Sequence, residues 1–122
     1  MSMTAEQLAR YRKTTATRIA EEARKTDRRR ELAWHIARDA AAILKDRFGV
    51  RRVCAFGSVL REESFTLWSD LDIAAWGLTP KNWLKASATV RMLSDEIEVN
   101  LVDIDTCTQP FLEEIERDGI PL

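Results

Sequence analysis

The chain has 122 residues, with 19 Lys and Arg against 20 Asp and Glu, 45% apolar residues, four Gly and three Pro, which is the make-up of one compact domain. A charged fraction of 32% beside four Trp and four Phe excludes a disordered chain, and no uncharged run approaches the roughly 18 residues that span a bilayer. Met1 to Arg12 lacks the apolar core of a secretory signal, and Cys54 and Cys107 cannot staple a secreted miniprotein, so a reducing cytoplasm is the expected compartment.

Charge is distributed unevenly. Residues 1–30 hold nine Lys and Arg against four Asp and Glu, and residues 31–122 hold ten against sixteen, so the front is about +5 and the remainder about −6. A basic run of this density is first of all a solvated helix face. It could also meet an acidic protein surface or nucleic acid, but apart from Tyr11 it lacks interleaved aromatics, and no nucleic-acid-binding motif follows it.

From Thr4 to Phe48 there is no Gly or Pro, and good helix formers dominate, so one long helix or two consecutive ones fill the segment. Leu8, Tyr11, Ile19 and Ala23 make a thin stripe, with Thr15 in the gap, that is interrupted at Thr26-Asp27-Arg28-Arg29-Arg30. Leu32, Ala33, Ile36, Ala37, Ala40, Ile43 and Leu44 then form a face wide enough to pack on a sheet, ending at Phe48-Gly49. This divides the chain into a helical extension, 1–30, and a domain, 31–122. After Gly49 the segments Arg51–Phe56, Asp70–Trp76 and Glu96–Val102 read as three strands. Thr79-Pro80 opens a helix of about thirteen residues, and a last short helix runs from Gln109-Pro110 to Asp118. The expected class is α+β (α/β), with helices covering one face of a small mixed sheet of three or more strands.

Chemistry concentrates at two places. Phe56-Gly57-Ser58 closes the first strand, and Asp70-Leu71-Asp72 opens the second after eleven intervening residues. The period of two puts the carboxylates of Asp70 and Asp72 on one face, where they repel, and a hard cation such as Mg²⁺ is the usual compensation. Gly57 lets backbone approach a ligand closely, and Ser58 adds a hydroxyl and an N–H at a helix start, so a phosphate seat faces a metal seat.

This order of residues resembles the signature of the DNA polymerase β-like nucleotidyltransferases, and the small size resembles their minimal members. The resemblance covers about residues 50–104 and is closest at Trp68-Ser69-Asp70-Leu71-Asp72-Ile73-Ala74. It implies the polymerase β-like fold, Gly57 and Ser58 on the triphosphate of ATP or another nucleoside triphosphate, and Asp70 and Asp72 on Mg²⁺. The third carboxylate of the family lies in a V-D-L-V stretch, matched here by Val99-Asn100-Leu101-Val102. Asn100 can offer an amide oxygen to a metal, but it adds no anionic charge and cannot take the proton of an attacking hydroxyl. Glu98 shares the strand face of Asn100 and is the candidate substitute, whereas Asp103 would point away unless the strand bends.

Two functions follow from the resemblance. One is transfer of a nucleotidyl group, AMP foremost, to a hydroxyl acceptor, with the chain acting as the antitoxin of a helical HEPN-type ribonuclease toxin. The other is an antitoxin that works by contact alone, over a vestigial nucleotide site. A second copy of the chain is the alternative partner for the N-terminal helix. His35, the one histidine, excludes a histidine metal cluster and reads as a partly exposed packing residue. Cys54 and Cys107 read as small core residues, and Arg51-Arg52 as a solvated strand end. Trp68, Trp76 and Trp83 read as core anchors, with base stacking as the alternative for Trp68. There is no Walker loop.

Overall fold

The structure is a computed structural model that describes residues 2–122. A single helix, α1 (Ala5–Phe48), fills the whole Gly- and Pro-free segment. Thr4 caps it: its hydroxyl accepts from the Gln7 amide at 3.1 Å, while the Gln7 side chain accepts from the Thr4 amide at 2.8 Å. Gly49 ends it in the left-handed conformation, with φ of 66°.

Strands β1 (Arg52–Phe56), β2 (Leu71–Trp76), β3 (Val99–Asp103) and β4 (Ile120–Pro121) form one mixed sheet in the order β3-β2-β1-β4. β1 pairs antiparallel with both β2 and β4, and β2 pairs parallel with β3. Between β2 and β3 lies α2 (Trp83–Arg91), and α3 (Gln109–Asp118) follows β3.

Helices cover both faces of the sheet, not one as expected. Ala33, Ile36, Ala37, Ala40 and Leu44 of α1 and Ala86 and Val90 of α2 pack with Val53, Ala55, Leu71, Ile73, Val99 and Leu101. On the opposite face Cys54, Phe56, Ala74 and Ile104 pack with Ile115, Phe111 and Leu112 of the α3 layer. The reason lies in the alternation of the strands: Cys54, Phe56 and Ala74, which face away from the first set, are also apolar, and bare apolar surface in water costs about 25 cal/mol per Å².

Two other expectations change, and one strand is added to the three. α2 begins at Trp83, because Thr79 and Asn82 bond reciprocally, at 2.8 and 3.2 Å, and close a turn over Pro80 and Lys81 ahead of it. β3 begins at Val99 instead of Glu96, with the Ser94 hydroxyl accepting from the amides of Glu96 and Ile97 in a turn. The two-residue β4 had no legible signal. It can lie against β1 because Gly119 has no Cβ: one there would sit 2.5 Å from the Ile115 carbonyl oxygen and 2.9 Å from Cys54 Sγ.

α1 passes without a break through residue 30. Its N-terminal part is exposed, Tyr11 to 56% and Ile19 to 61%, and the side chains that first bond to the rest of the chain are Arg29 and Arg30. No helix among the described residues is long and apolar enough to cross a membrane.

Candidate active site at the Gly57 turn and the Asp70–Asp72 pair

The alternation that sends Leu71 and Ile73 beneath α1 turns Asp72 to the face that carries α3. Asp72 pairs with Phe56 across β1 and with Asn100 across β3, so three strands deliver neighbouring residues to one place. Asn100 Nδ2 donates to Asp72 Oδ1 at 3.3 Å and to Asp70 Oδ2 at 3.4 Å. The amide thus lies between the two carboxylates. Burial pushes the Asp72 carboxyl above its ordinary value, Asp70 pushes it the same way, and the Asn100 hydrogen bond partly offsets both.

Gly57 begins a 3₁₀ turn, Gly57–Leu60, directly after Phe56. Its φ of 77° lies where L side chains strain, and a Cβ would stand 2.7 Å from Asp72 Oδ2. Glycine is therefore favoured by the turn, and any Cβ there would also displace the Asp72 carboxylate. Phe56 is held by an edge-to-face contact with Phe111, ring centroids 5.3 Å apart, which ties the turn to α3.

The segment from the turn to Asp70 is well constructed. The Ser64 and Phe65 amides donate to the Arg61 carbonyl at 3.1 and 3.2 Å, and the Phe65 ring is buried. The amide of Thr66 donates to the Ser69 hydroxyl at 2.9 Å, and that of Trp68 to the Thr66 hydroxyl at 3.1 Å. Trp68 itself is 88% exposed, which corrects its reading as a core anchor.

Gly57 and Ser58 line a cleft of about 320 Å³ with Phe56, Leu60, Arg61, Ser64, Glu114 and Asp118. Arg61 and Ser64 were not singled out from sequence. Arg61 stands three residues after Ser58, one 3₁₀ turn on, and that spacing was the available signal.

Glu98 is placed differently from Asn100. Its Oε1 lies 3.5 Å from Arg91 Nη2 at the end of α2, and the side chain is about half exposed. Among the described residues no three His, Cys, Asp or Glu side chains gather as a metal-holding group, so Glu98 does not complete a carboxylate triad with Asp70 and Asp72. Asp103 instead caps the short turn after β3, accepting from the Asp105 amide at 3.1 Å.

The remaining residues divide. Cys54 is buried, which pushes its thiol up to about 11 and makes it a packing residue, while Cys107 is only half-buried. Trp76 is partly covered, with the Arg52 guanidinium stacked 4.1 Å from its ring centroid, and Trp83 packs at the edge of the core. Arg51 and His35 are exposed.

No protein-family model matches the chain, and no curated protein does. Solved structures do. The MntA–HepT toxin–antitoxin matches with a TM-score of 0.55 and 17% identity, over 72% of this chain and 69% of that one. A toxin–antitoxin with AMP-PNP matches at 0.56 and 20%, over 66% and 67%. A chain provisionally assigned as a minimal nucleotidyltransferase matches at 0.51 and 24%, over 83% of this chain and 96% of that one. At these identities the likeness is one of architecture, and the helices and mixed sheet described above are the minimal nucleotidyltransferase fold.

Proposed function

We propose that the chain is a Mg²⁺-dependent nucleotidyltransferase that moves AMP from ATP to a hydroxyl of a protein partner, and that it serves as the antitoxin of a helical HEPN-type toxin in the cytoplasm. In this reading residues 1–30 are a helical extension and 31–122 the nucleotidyltransferase domain. The observation that carries the proposal is the convergence of Asp70, Asp72 and Asn100 beside Gly57, whose Cβ, were there one, would stand 2.7 Å from the Asp72 carboxylate. The toxin–antitoxin neighbours, one of them with AMP-PNP, support the partner and the nucleotide.

The donor set suits Mg²⁺. Asp70, Asp72 and the Asn100 carbonyl, after rotation of its amide, present hard oxygen ligands, and the two carboxylates repel in the absence of a cation. When bound, the ion would neutralise charge that develops on the α phosphate and the leaving pyrophosphate. Gly57 and Ser58 offer backbone N–H groups and a hydroxyl to the phosphates, and Arg61, in the same cleft, offers a guanidinium to them. The Asn100 amide takes no proton, so the acceptor hydroxyl must release its proton to an aspartate or to water, which slows transfer.

That same amide favours a second reading, an antitoxin that acts by contact over a nucleotide site of little turnover. Labelled ATP, Mg²⁺ and the candidate toxin separate the two. Label on the toxin that disappears with Asp70→Asn plus Asp72→Asn supports transfer. Inhibition of the toxin with no label supports contact alone. ATP binding that persists unchanged in the double variant removes the site assignment.

A further inference from the structure

Arg29 and Arg30 interrupt the apolar stripe of α1. Of the nine Lys and Arg in residues 1–30, they are the two whose side chains hydrogen bond outside the helix among the described residues. Arg30 Nε donates to the Val59 carbonyl at 2.9 Å, inside the turn that begins with Gly57 and Ser58. Arg29 Nη2 donates to the Ser69 carbonyl at 2.9 Å, and its Nη1 to the Glu96 carbonyl at 2.9 Å. Ser69 precedes Asp70. Glu96 stands just ahead of β3, where the Leu71 amide donates to the Glu98 carbonyl at 2.9 Å as the first bond joining β2 to β3.

We propose that Arg29 and Arg30 are positioning residues that hold the two halves of the active site in register, Arg30 fixing the phosphate turn and Arg29 the starts of the two strands that bear Asp70, Asp72 and Asn100. Consecutive side chains on a helix diverge by about 100°, which is why neighbours can reach loops on two sides of one site. The planar fork of Arg29 serves two carbonyls at once, a task a lysine ammonium on its single stem does less well. Arg29 Nε is buried without a partner, so this side chain is not placed for full satisfaction of its own donors. Register matters here because a misplacement of about 1 Å at a reacting centre can cost roughly 10²-fold in rate.

The proposal rests on the nucleotidyltransferase reading, and its test separates the two. Arg29→Met, Arg29→Lys and Arg30→Met are made in the full chain. Amide hydrogen exchange is then followed without any ligand. Arg30→Met should speed exchange in residues 57–61 and leave 70–72 and 99–101 protected, and Arg29→Met should do the reverse. Titration with ATP and Mg²⁺ should show the same division. Arg30→Met weakens ATP about tenfold at saturating Mg²⁺, and Arg29→Met raises the Mg²⁺ needed for half-saturation about tenfold, the scale of one hydrogen bond to a charged group. Arg29→Lys should recover part of the loss, and it gives the same reading should Arg29→Met not fold. Exchange that changes equally in both segments, or in neither, overturns the clamp. A wild-type chain that binds no ATP with Mg²⁺ removes the nucleotidyltransferase reading, while the exchange pattern still decides the clamp.

Discussion

Replacing Asn100 with aspartate tests the site at its centre. The amide nitrogen lies 3.3 Å from Asp72 Oδ1 and 3.4 Å from Asp70 Oδ2, so Asn100→Asp exchanges two hydrogen bonds for two carboxylate repulsions. Unit charges about 4 Å apart repel by about 4 kcal/mol at an effective dielectric of roughly 20, and partial solvent exposure reduces that. The cluster relieves part of the rest by keeping a proton, at about 1.4 kcal/mol for each unit of raised pKa. A net loss of about 2–4 kcal/mol without metal follows, which for a domain of this size lowers Tm by roughly 10 °C. Mg²⁺ should reverse the loss and stabilise Asn100→Asp more than the wild-type chain, because only the occupied site offsets three anions. Scanning calorimetry in EDTA and in excess Mg²⁺ reads both. The new carboxylate also accepts a proton, so transfer to a partner hydroxyl should rise by about 10²- to 10⁴-fold. Equal Tm values in EDTA for the variant and the wild type would refute the placement, since a slip of one residue in β3 turns Asn100 to the opposite face.

Gly57→Ala puts a Cβ 2.7 Å from Asp72 Oδ2 at a φ of 77°, and it should cost about 1–3 kcal/mol and weaken ATP binding; an unchanged urea midpoint would contradict this. The folded-state carboxyl of Asp72 titrates above its ordinary 3.8, chiefly through burial, so its contribution to stability is present below the unfolded value and is lost as pH rises through the folded one. Asp72→Asn should therefore flatten that fall in a series of urea titrations from acid toward neutral pH, and a variant that falls as steeply as the wild type refutes the assignment. Glu98→Gln should leave ATP binding and transfer within about twofold, because Glu98 pairs with Arg91 and exposed pairs of this kind contribute about 0–1 kcal/mol; loss of transfer would show that it reaches the site. Deleting residues 2–25, exposed but for a half-buried Thr15, should leave the cooperative unfolding of the remaining chain intact while weakening toxin binding, and a truncated chain that is unfolded would place this segment in the core.

The elements most legible in the sequence were those with a long period or a strong cap. The Gly- and Pro-free run from Thr4 to Phe48, ending at Gly49, read as one long helix or two consecutive ones, and the structure makes it one, with the Thr4–Gln7 capping box at its start seen only there. The local alternation of Asp70-Leu71-Asp72 put the two carboxylates on one face, but it was the family resemblance at Val99-Asn100-Leu101-Val102 that pointed to Asn100, and the parallel pairing Asp72↔Asn100 is what sets its amide beside them. What stayed hidden depends on distant partners. β4 has two residues and exists only because Cys54 and Ala55 offer a free edge that Gly119 can approach. Glu98 has the parity of Asn100, yet it sits where Arg91 at the end of α2 is within reach, and sequence spacing carries no record of that meeting. Trp68 has the composition of an anchor, but it lies in the turn closed by Thr66 and Ser69 and is in solvent, while Phe65 of the same segment is buried.

The electrostatics of the site bear on what an asparagine does there. Among the groups that shift Asp72, burial and Asp70 disfavour its charge and the Asn100 amide alone favours it, with no cationic side chain contributing. A neutral donor thus bonds one oxygen of each carboxylate and offsets part of what disfavours the Asp72 charge. An aspartate at the same position would make folding more dependent on Mg²⁺ and would supply the missing proton acceptor, so stability without metal and rate of transfer are opposed at one residue. Under the proposed reading, Tm in EDTA and the rate of transfer with Mg²⁺ should therefore move in opposite directions when Asn100 becomes aspartate.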